Sequence, residues 1–213
     1  MDQQAWNLKP DDIEARSMAI IEAEAGAHEW PPREWSVIRR MIHTTADFDW
    51  SGISLIQEQA LESGIRALSG GCTIFTDTQM ARMGISSRRI DSFGVEVRCL
   101  ISDEVVSARA AKNGTTRAVA AVDLAVDMDP EAVYVIGNAP TALFRLLEHC
   151  KAGKAKPQLV VGLPVGFVNA AEAKQALAET DLPFITAKGR KGGSAVAASV
   201  INALAIMASE DRR

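Results

Sequence analysis

Apolar residues recur at helical spacing through the first 70 positions and then in short unbroken runs, and this change of period divides the chain. Met18, Ile21 and Ala25 fall on one face of a first predicted helix, and Pro31-Pro32 opens a second that carries Trp35, Ile38 and Ile42. A third helical pattern runs over 53–68 and stops at Gly70-Gly71. From Cys72 onward five β-rich runs, at 72–75, 95–101, 132–136, 159–162 and 184–186, alternate with helical stretches at 78–83, 103–126, 141–150, 170–178 and 194–208. The runs are apolar without alternation, as in strands covered on both faces. The expectation is an α/β fold of one domain over 1–213: a helical N-terminal segment, 1–70, and a core, 71–213, of five parallel strands with right-handed helical crossovers on both faces.

That layout places a ligand beyond the carboxyl ends of the strands, near the point where strand order reverses. The loops leaving the strands are Thr76-Asp77-Thr78, Gly137-Asn138-Ala139-Pro140, Gly162 to Phe167, and Gly189-Arg190-Lys191-Gly192-Gly193-Ser194. Glycines such as Gly162, Gly166 and Gly192 let backbone approach a ligand, and each following helix offers free N–H groups to carboxylate or phosphate. Turn chemistry alone accounts equally well for any one of these loops.

Composition removes several classes. With 213 residues, 47% of them hydrophobic, the core can sustain itself, and three scattered cysteines form neither a disulfide framework nor a thiolate zinc site. An acidic opening without an apolar signal core, and no apolar run long enough to span a bilayer, lead us to expect a cytoplasmic chain away from membranes. A net charge of −4 with dispersed basic residues gives no footprint for nucleic acid. No GxGxxG follows the first strand, GRKGGS is not a P-loop, and there is no GxSxG elbow.

Among the three histidines, His149 ends a helix where a cation suits the dipole, and His28 sits in a turn before Trp30. His43 alone has chemical company: Arg40 one turn earlier on the same helix face, and Thr44, Thr45, Asp47 and Asp49 just after it. The pattern fits a satisfied structural histidine, a general acid or base, or part of a His43, Asp47, Asp49 metal cluster, which lacks a second histidine. Asn113-Gly114-Thr115-Thr116-Arg117 reads as a break inside the helical stretch 103–126, either a bland turn or a carboxylate clamp. Ser86, Ser87, Arg88 and Arg89 offer the same ingredients after the first strand, Arg190 adds a guanidinium to the last glycine-rich loop, and Ser17 adds a hydroxyl on the first helix.

Taken together, Arg40-Met-Ile-His43-Thr-Thr-Ala-Asp-Phe, Gly137-Asn-Ala-Pro-Thr-Ala-Leu-Phe-Arg-Leu-Leu, Gly162-Leu-Pro-Val-Gly-Phe-Val-Asn-Ala-Ala-Glu-Ala-Lys and Gly189-Arg-Lys-Gly-Gly-Ser-Ala give a sequence that resembles the precorrin-8X methylmutases, including the cobalt-precorrin-8 methylmutases, from about Asp12 to Ala208. The resemblance implies a flavodoxin-like fold and a homodimer whose subunits share a cleft for the corrinoid tetrapyrrole. It implies an isomerase that moves a methyl group from ring carbon 11 to ring carbon 12, with no separate cofactor, any cobalt belonging to the substrate. It further implies that His43 is the proton donor and acceptor, and that Ser17, Arg40, Thr115, Thr116 and Arg117 contact substrate. The Thr44 to Phe48 stretch looks closer to the cobalt-dependent branch. A non-catalytic corrinoid carrier and a metal-dependent hydrolase are the alternatives to the isomerase.

Overall fold

A computed structural model of the chain describes residues 9–212; Trp6 lies outside them. The first two helices form where the apolar spacing placed them, α1 over Pro10–Ala25 and α2 over Pro32–Thr45. Each carries proline in its first turn, where the missing N–H has no intrahelical partner to lose. The third helical pattern divides. Its residues build a short helix α3 (Trp50–Ile53), a strand β1 (Ser54–Ile56) and a helix α4 (Ala60–Ser69).

The expected strands are all present, as β2 (Thr73–Thr76), β3 (Glu96–Arg98), β4 (Val133–Ile136), β5 (Leu159–Gly162) and β6 (Phe184–Ala187). The sheet has six strands, however, in the order β1-β6-β5-β4-β2-β3, and β1 runs antiparallel to its neighbour. This corrects the five-stranded, wholly parallel expectation and breaks the purely helical reading of 1–70. Three residues are too few to show a period of two, and what makes them a strand is the free edge of β6: Ser54 pairs with Ala187 and Ile56 with Ile185.

Between the strands lie α5 (Gln79–Gly84), α6 (Ser87–Ile90), α7 (Glu104–Asn113), α8 (Arg117–Met128), α9 (Pro140–Lys151), α10 (Ala170–Ala178) and α11 (Ser194–Glu210). The helical stretch 103–126 breaks at the anticipated turn: Gly114 adopts a left-handed conformation that ends α7, and the Thr116 hydroxyl accepts the Val119 N–H to open α8.

Alternate strand residues feed two cores. On one face Ile74, Val133, Val135, Val161 and Ile185 pack with α2, α4 and α11. On the other Phe75, Tyr134, Ile136, Val160 and Phe184 pack with α7, α8, α9 and α10. Helix α11 is apolar nearly all round and almost wholly buried, and alanines at 197, 198, 203, 205 and 208 let α2, α4 and α5 come close to it. No helix among the described residues is long and apolar enough to cross a membrane.

Candidate functional site

The five parallel strands point their carboxyl ends at one edge, and their order reverses at β2, which lies between β3 and β4. A crevice for ligand opens at such a point. Here it is held by a buried carboxylate. Asp77, 8% exposed, follows β2 and accepts three backbone N–H bonds from the loop after β4: from Gly137 at 2.9 Å, Asn138 at 2.8 Å and Ala139 at 2.7 Å. Burial pushes its carboxyl above the usual range, and the three amide dipoles only partly offset that. Beside it the Thr78 and Ser194 hydroxyls meet at 2.7 Å, which ties the start of α5 to the start of α11.

The loops after β5 and β6 are stitched together as well. Gly193 N–H donates to the Leu163 carbonyl at 2.9 Å, and Gly166 N–H to the Arg190 carbonyl at 3.2 Å. Gly192 is required by this approach, since a Cβ there would lie 2.2 Å from the Leu163 oxygen. Gly162 answers to packing: it is buried at the end of β5, and a Cβ would meet Leu177 at 2.4 Å. At the rim the Arg190 guanidinium lies 5.5 Å from the centre of the Phe167 ring, which is 86% exposed between exposed Val165 and Val168.

His43 stands in the last turn of α2 and is exposed. The turn after it, at Ala46, is left-handed and leads to Asp47 and Asp49. Both carboxylates bind Lys191 of the β6–α11 loop, at 2.5 Å and 2.6 Å. That contact brings the imidazole-bearing end of α2 to the carboxyl edge, so α2 runs opposite to α11. The Lys191 hydrogen bond holds the Asp47 carboxyl below its usual range, and these carboxylates are engaged by a cation of the chain itself. Among the described residues no group of three or more His, Cys, Asp or Glu side chains is placed to hold a metal ion.

One turn before His43, Arg40 binds Glu14 of α1 at 2.6 Å, and Arg89 reaches the other Glu14 oxygen at 3.5 Å. The Arg40 hydrogen bond, with the fields of Arg40, Arg89 and His43, lowers the Glu14 carboxyl despite a burial penalty. Glu14, Arg39, Arg40, Ser86, Arg88 and Arg89 line an open cleft of about 760 Å³ along α11. Ser87 lies in an adjoining hollow of about 380 Å³ beside Ser86 and Arg82. Ser17, one turn beyond Glu14, donates its hydroxyl to the Ile13 carbonyl at 2.8 Å.

Thr115, Thr116 and Arg117 are exposed in the α7–α8 turn. Ala118, next in the chain, shares a small cavity with Thr76 and Asp77, so this turn reaches the same carboxyl edge from the opposite face of the sheet. His149 does not cap its helix with its side chain; it is buried and bonds Asp123 at 2.7 Å. The sequence reading assigned no role to Lys174 or to the carboxylate of Asp77. Lys174 could have been found, because it occupies a core position of the 170, 173, 174, 177 stripe.

A parallel-sheet edge with amide-rich loops, an exposed apolar rim and an exposed imidazole, next to an arginine-lined cleft along α11, has the chemistry that suits an anionic, partly apolar ligand with an acid–base group at hand. Residues 12–207 match the precorrin-8X methylmutase family. The chain is 48% identical over 202 residues to the cobalt-precorrin-8 methylmutase of Salmonella typhimurium, covering 92% of this chain and 94% of that one. It is 42% identical over 207 residues to the protein of that name from Leptospira interrogans, covering 93% and 94%. The crystal structure of the precorrin-8X methylmutase of Thermus thermophilus superposes with a TM-score of 0.89 at 42% identity, over 94% of this chain and 97% of that one. The chain therefore belongs to the precorrin-8X methylmutase family, the methyl-shifting isomerases of cobalamin biosynthesis.

Proposed function

We propose that this enzyme moves a methyl group from ring carbon 11 to ring carbon 12 of a corrinoid, with His43 giving and taking back the proton. The observation that carries this reading is the placement of His43: exposed, at the carboxyl edge, with its turn clamped to the β6–α11 loop by Lys191. Protonating the conjugated macrocycle makes the migration terminus electron-poor, and imidazole is the side chain whose ordinary titration lies nearest neutral pH. The migration is internal and leaves the electron count unchanged, so it calls for no separate cofactor. A carboxylate-rimmed, apolar-faced ring also matches the groups available to it: arginines 39, 40, 88 and 89 of the cleft along α11, which begins one turn before His43 at Arg40, and Arg190 with the exposed Val165, Phe167 and Val168 at the rim of the loops after β5 and β6.

The five parallel strands, taken in their own chain order, run 2-1-3-4-5, which supports a flavodoxin-like core bearing an added edge strand. The His43 end of α2 and the Thr115–Arg117 turn sit on opposite faces of one sheet. That separation favours a homodimer in which the cleft takes His43 from one subunit and the hydroxyl-arginine turn from the other; a cytoplasmic setting is part of the same reading and rests on the sequence alone. The names of the Salmonella and Leptospira relatives favour a cobalt-loaded substrate.

The test uses purified enzyme with cobalt-loaded and metal-free substrate supplied separately, followed by absorption. Only the true substrate changes spectrum with time after mixing. His43→Ala should leave corrinoid binding largely intact and cut turnover at least about a hundredfold. Turnover within a few-fold of wild type would remove His43 from the acid role.

A further inference from the structure

Lys174 is the most completely buried cation described in the molecule, 1% exposed on α10, with no carboxylate bound to it among the described residues. Burial alone lowers its amine to about 8. Lysines are seldom buried without a partner charge, because desolvation of the ammonium goes uncompensated. Among the described residues, the one hydrogen bond of its ammonium goes to the main-chain carbonyl of Lys191. The side chain of that same Lys191 reaches the other way and binds Asp47 and Asp49. These are the fourth and sixth residues after His43, and the Asp47 carboxylate also accepts the Asp49 N–H at 3.0 Å, which tightens the turn. An unbroken line of contacts thus joins the far side of α10 to the end of α2.

We propose that Lys174 is a positioning residue for His43: its buried ammonium fixes the Lys191 backbone, which aims the Lys191 ammonium at Asp47 and Asp49 and so sets the turn that carries the imidazole. Among the described residues Lys174 makes no hydrogen bond to His43; it reaches the site through the main chain of Lys191. The inference rests on the reading of His43 as the proton donor and deepens it, by accounting for how an exposed helix end is held in one place. A group acting this way governs how well the acid is aimed and leaves the affinity for the ring untouched.

The experiment measures kcat and KM for the cobalt-loaded corrinoid with Lys174→Met, Lys191→Met, the double variant and His43→Ala, together with a thermal melt of each. Lys174→Met and Lys191→Met should each lower kcat by about tenfold or more with KM within about threefold, and the double variant should be no slower than the slower single one. Wild-type kcat in a folded Lys174→Met, a rise in KM alone, or single effects that multiply in the double variant would each overturn the proposal. Should Lys174→Met fail to fold, Lys191→Met decides, because its side chain is half in solvent, where an ion pair adds little to stability; a wild-type kcat there overturns the link. His43→Ala separates the two claims: if it is active the acid assignment falls, whereas an inactive His43→Ala beside fully active Lys174→Met and Lys191→Met removes only the link.

Discussion

The ammonium of Lys191 lies 2.5 Å from a carboxylate oxygen of Asp47, a contact between residues 144 positions apart that joins the loop after the last strand to the end of the second helix. Its side chains face solvent, where an ion pair contributes little to stability, so its consequence is local geometry. The folded-state Asp47 carboxyl titrates below its unfolded counterpart because of the Lys191 hydrogen bond. Its small contribution is therefore present above the ordinary carboxylate range and lost as pH falls through the folded value. Asp47→Asn should melt close to wild type at pH 7, and the small remaining difference should vanish in acid. A large loss of melting temperature at neutral pH would show that the bridge supports the fold as well as the site.

Lys174 titrates in the opposite part of the scale. Burial lowers its amine from 10.5 to about 8, so between those values the unfolded chain binds more protons than the folded one. Stability referred to this group is fully present above 10.5 and lost as pH falls through 8. Subtracting the Lys174→Met curve removes the titrations that do not sense Lys174 and leaves its own together with its coupling to Glu172, Glu179 and Lys188, which line the same hollow. Denaturant unfolding of both proteins should show the wild type gaining on the variant by up to about 3 kcal/mol between pH 8 and 10.5. A flat difference would mean that the ammonium is solvated in the folded state.

Asp77 carries the opposite charge under similar burial, and here the backbone supplies the compensation. Truncating it leaves the N–H groups of Gly137, Asn138 and Ala139 without their acceptor, of which Gly137 is buried. Asp77→Ala should therefore destabilise the chain by about 2 to 4 kcal/mol in urea unfolding. Asp77→Asn should fall between, since its amide keeps one acceptor oxygen but sets N–H against N–H. A cost under about 0.5 kcal/mol would show that water replaces the carboxylate at no penalty.

The switch from helical spacing to apolar runs was enough to place β2 through β6 and the longer helices between them, because runs with a consistently buried face announce themselves; the four-residue helix α6 (Ser87–Ile90) was too short to show a period. Strand β1 gave no such signal: Ser54-Leu55-Ile56 becomes a strand only by pairing with the edge of β6. The site was legible to a similar depth. His43 and its neighbouring aspartates stand together in the sequence, whereas Lys191, which binds those aspartates, enters through folding alone. Spacing likewise could not reveal that Gly162 makes room for Leu177 while Gly192 lets two loops touch, although both stand where a strand gives way to its loop and look alike on paper.

The placement of His43 and Arg117 on opposite faces of one sheet makes the shared cleft testable without a substrate complex. In a two-fold dimer the two sites are equivalent, so a cleft drawing His43 from one subunit and Arg117 from the other appears twice. His43→Ala should be almost inactive. Arg117→Ala should bind the carboxylated ring more weakly by about 1.5 to 3 kcal/mol, and so turn over slowly at substrate levels below the wild-type KM. If these two variants are unfolded, mixed and refolded, half the dimers are hybrids, and each hybrid has one site lacking both groups and one site lacking neither. The mixture should then recover up to about a quarter of wild-type activity, well above either parent alone. If each site used both residues of a single subunit, no hybrid would contain an intact site and mixing would restore nothing. That outcome would overturn the shared cleft and require the ring to reach around the sheet edge within one chain.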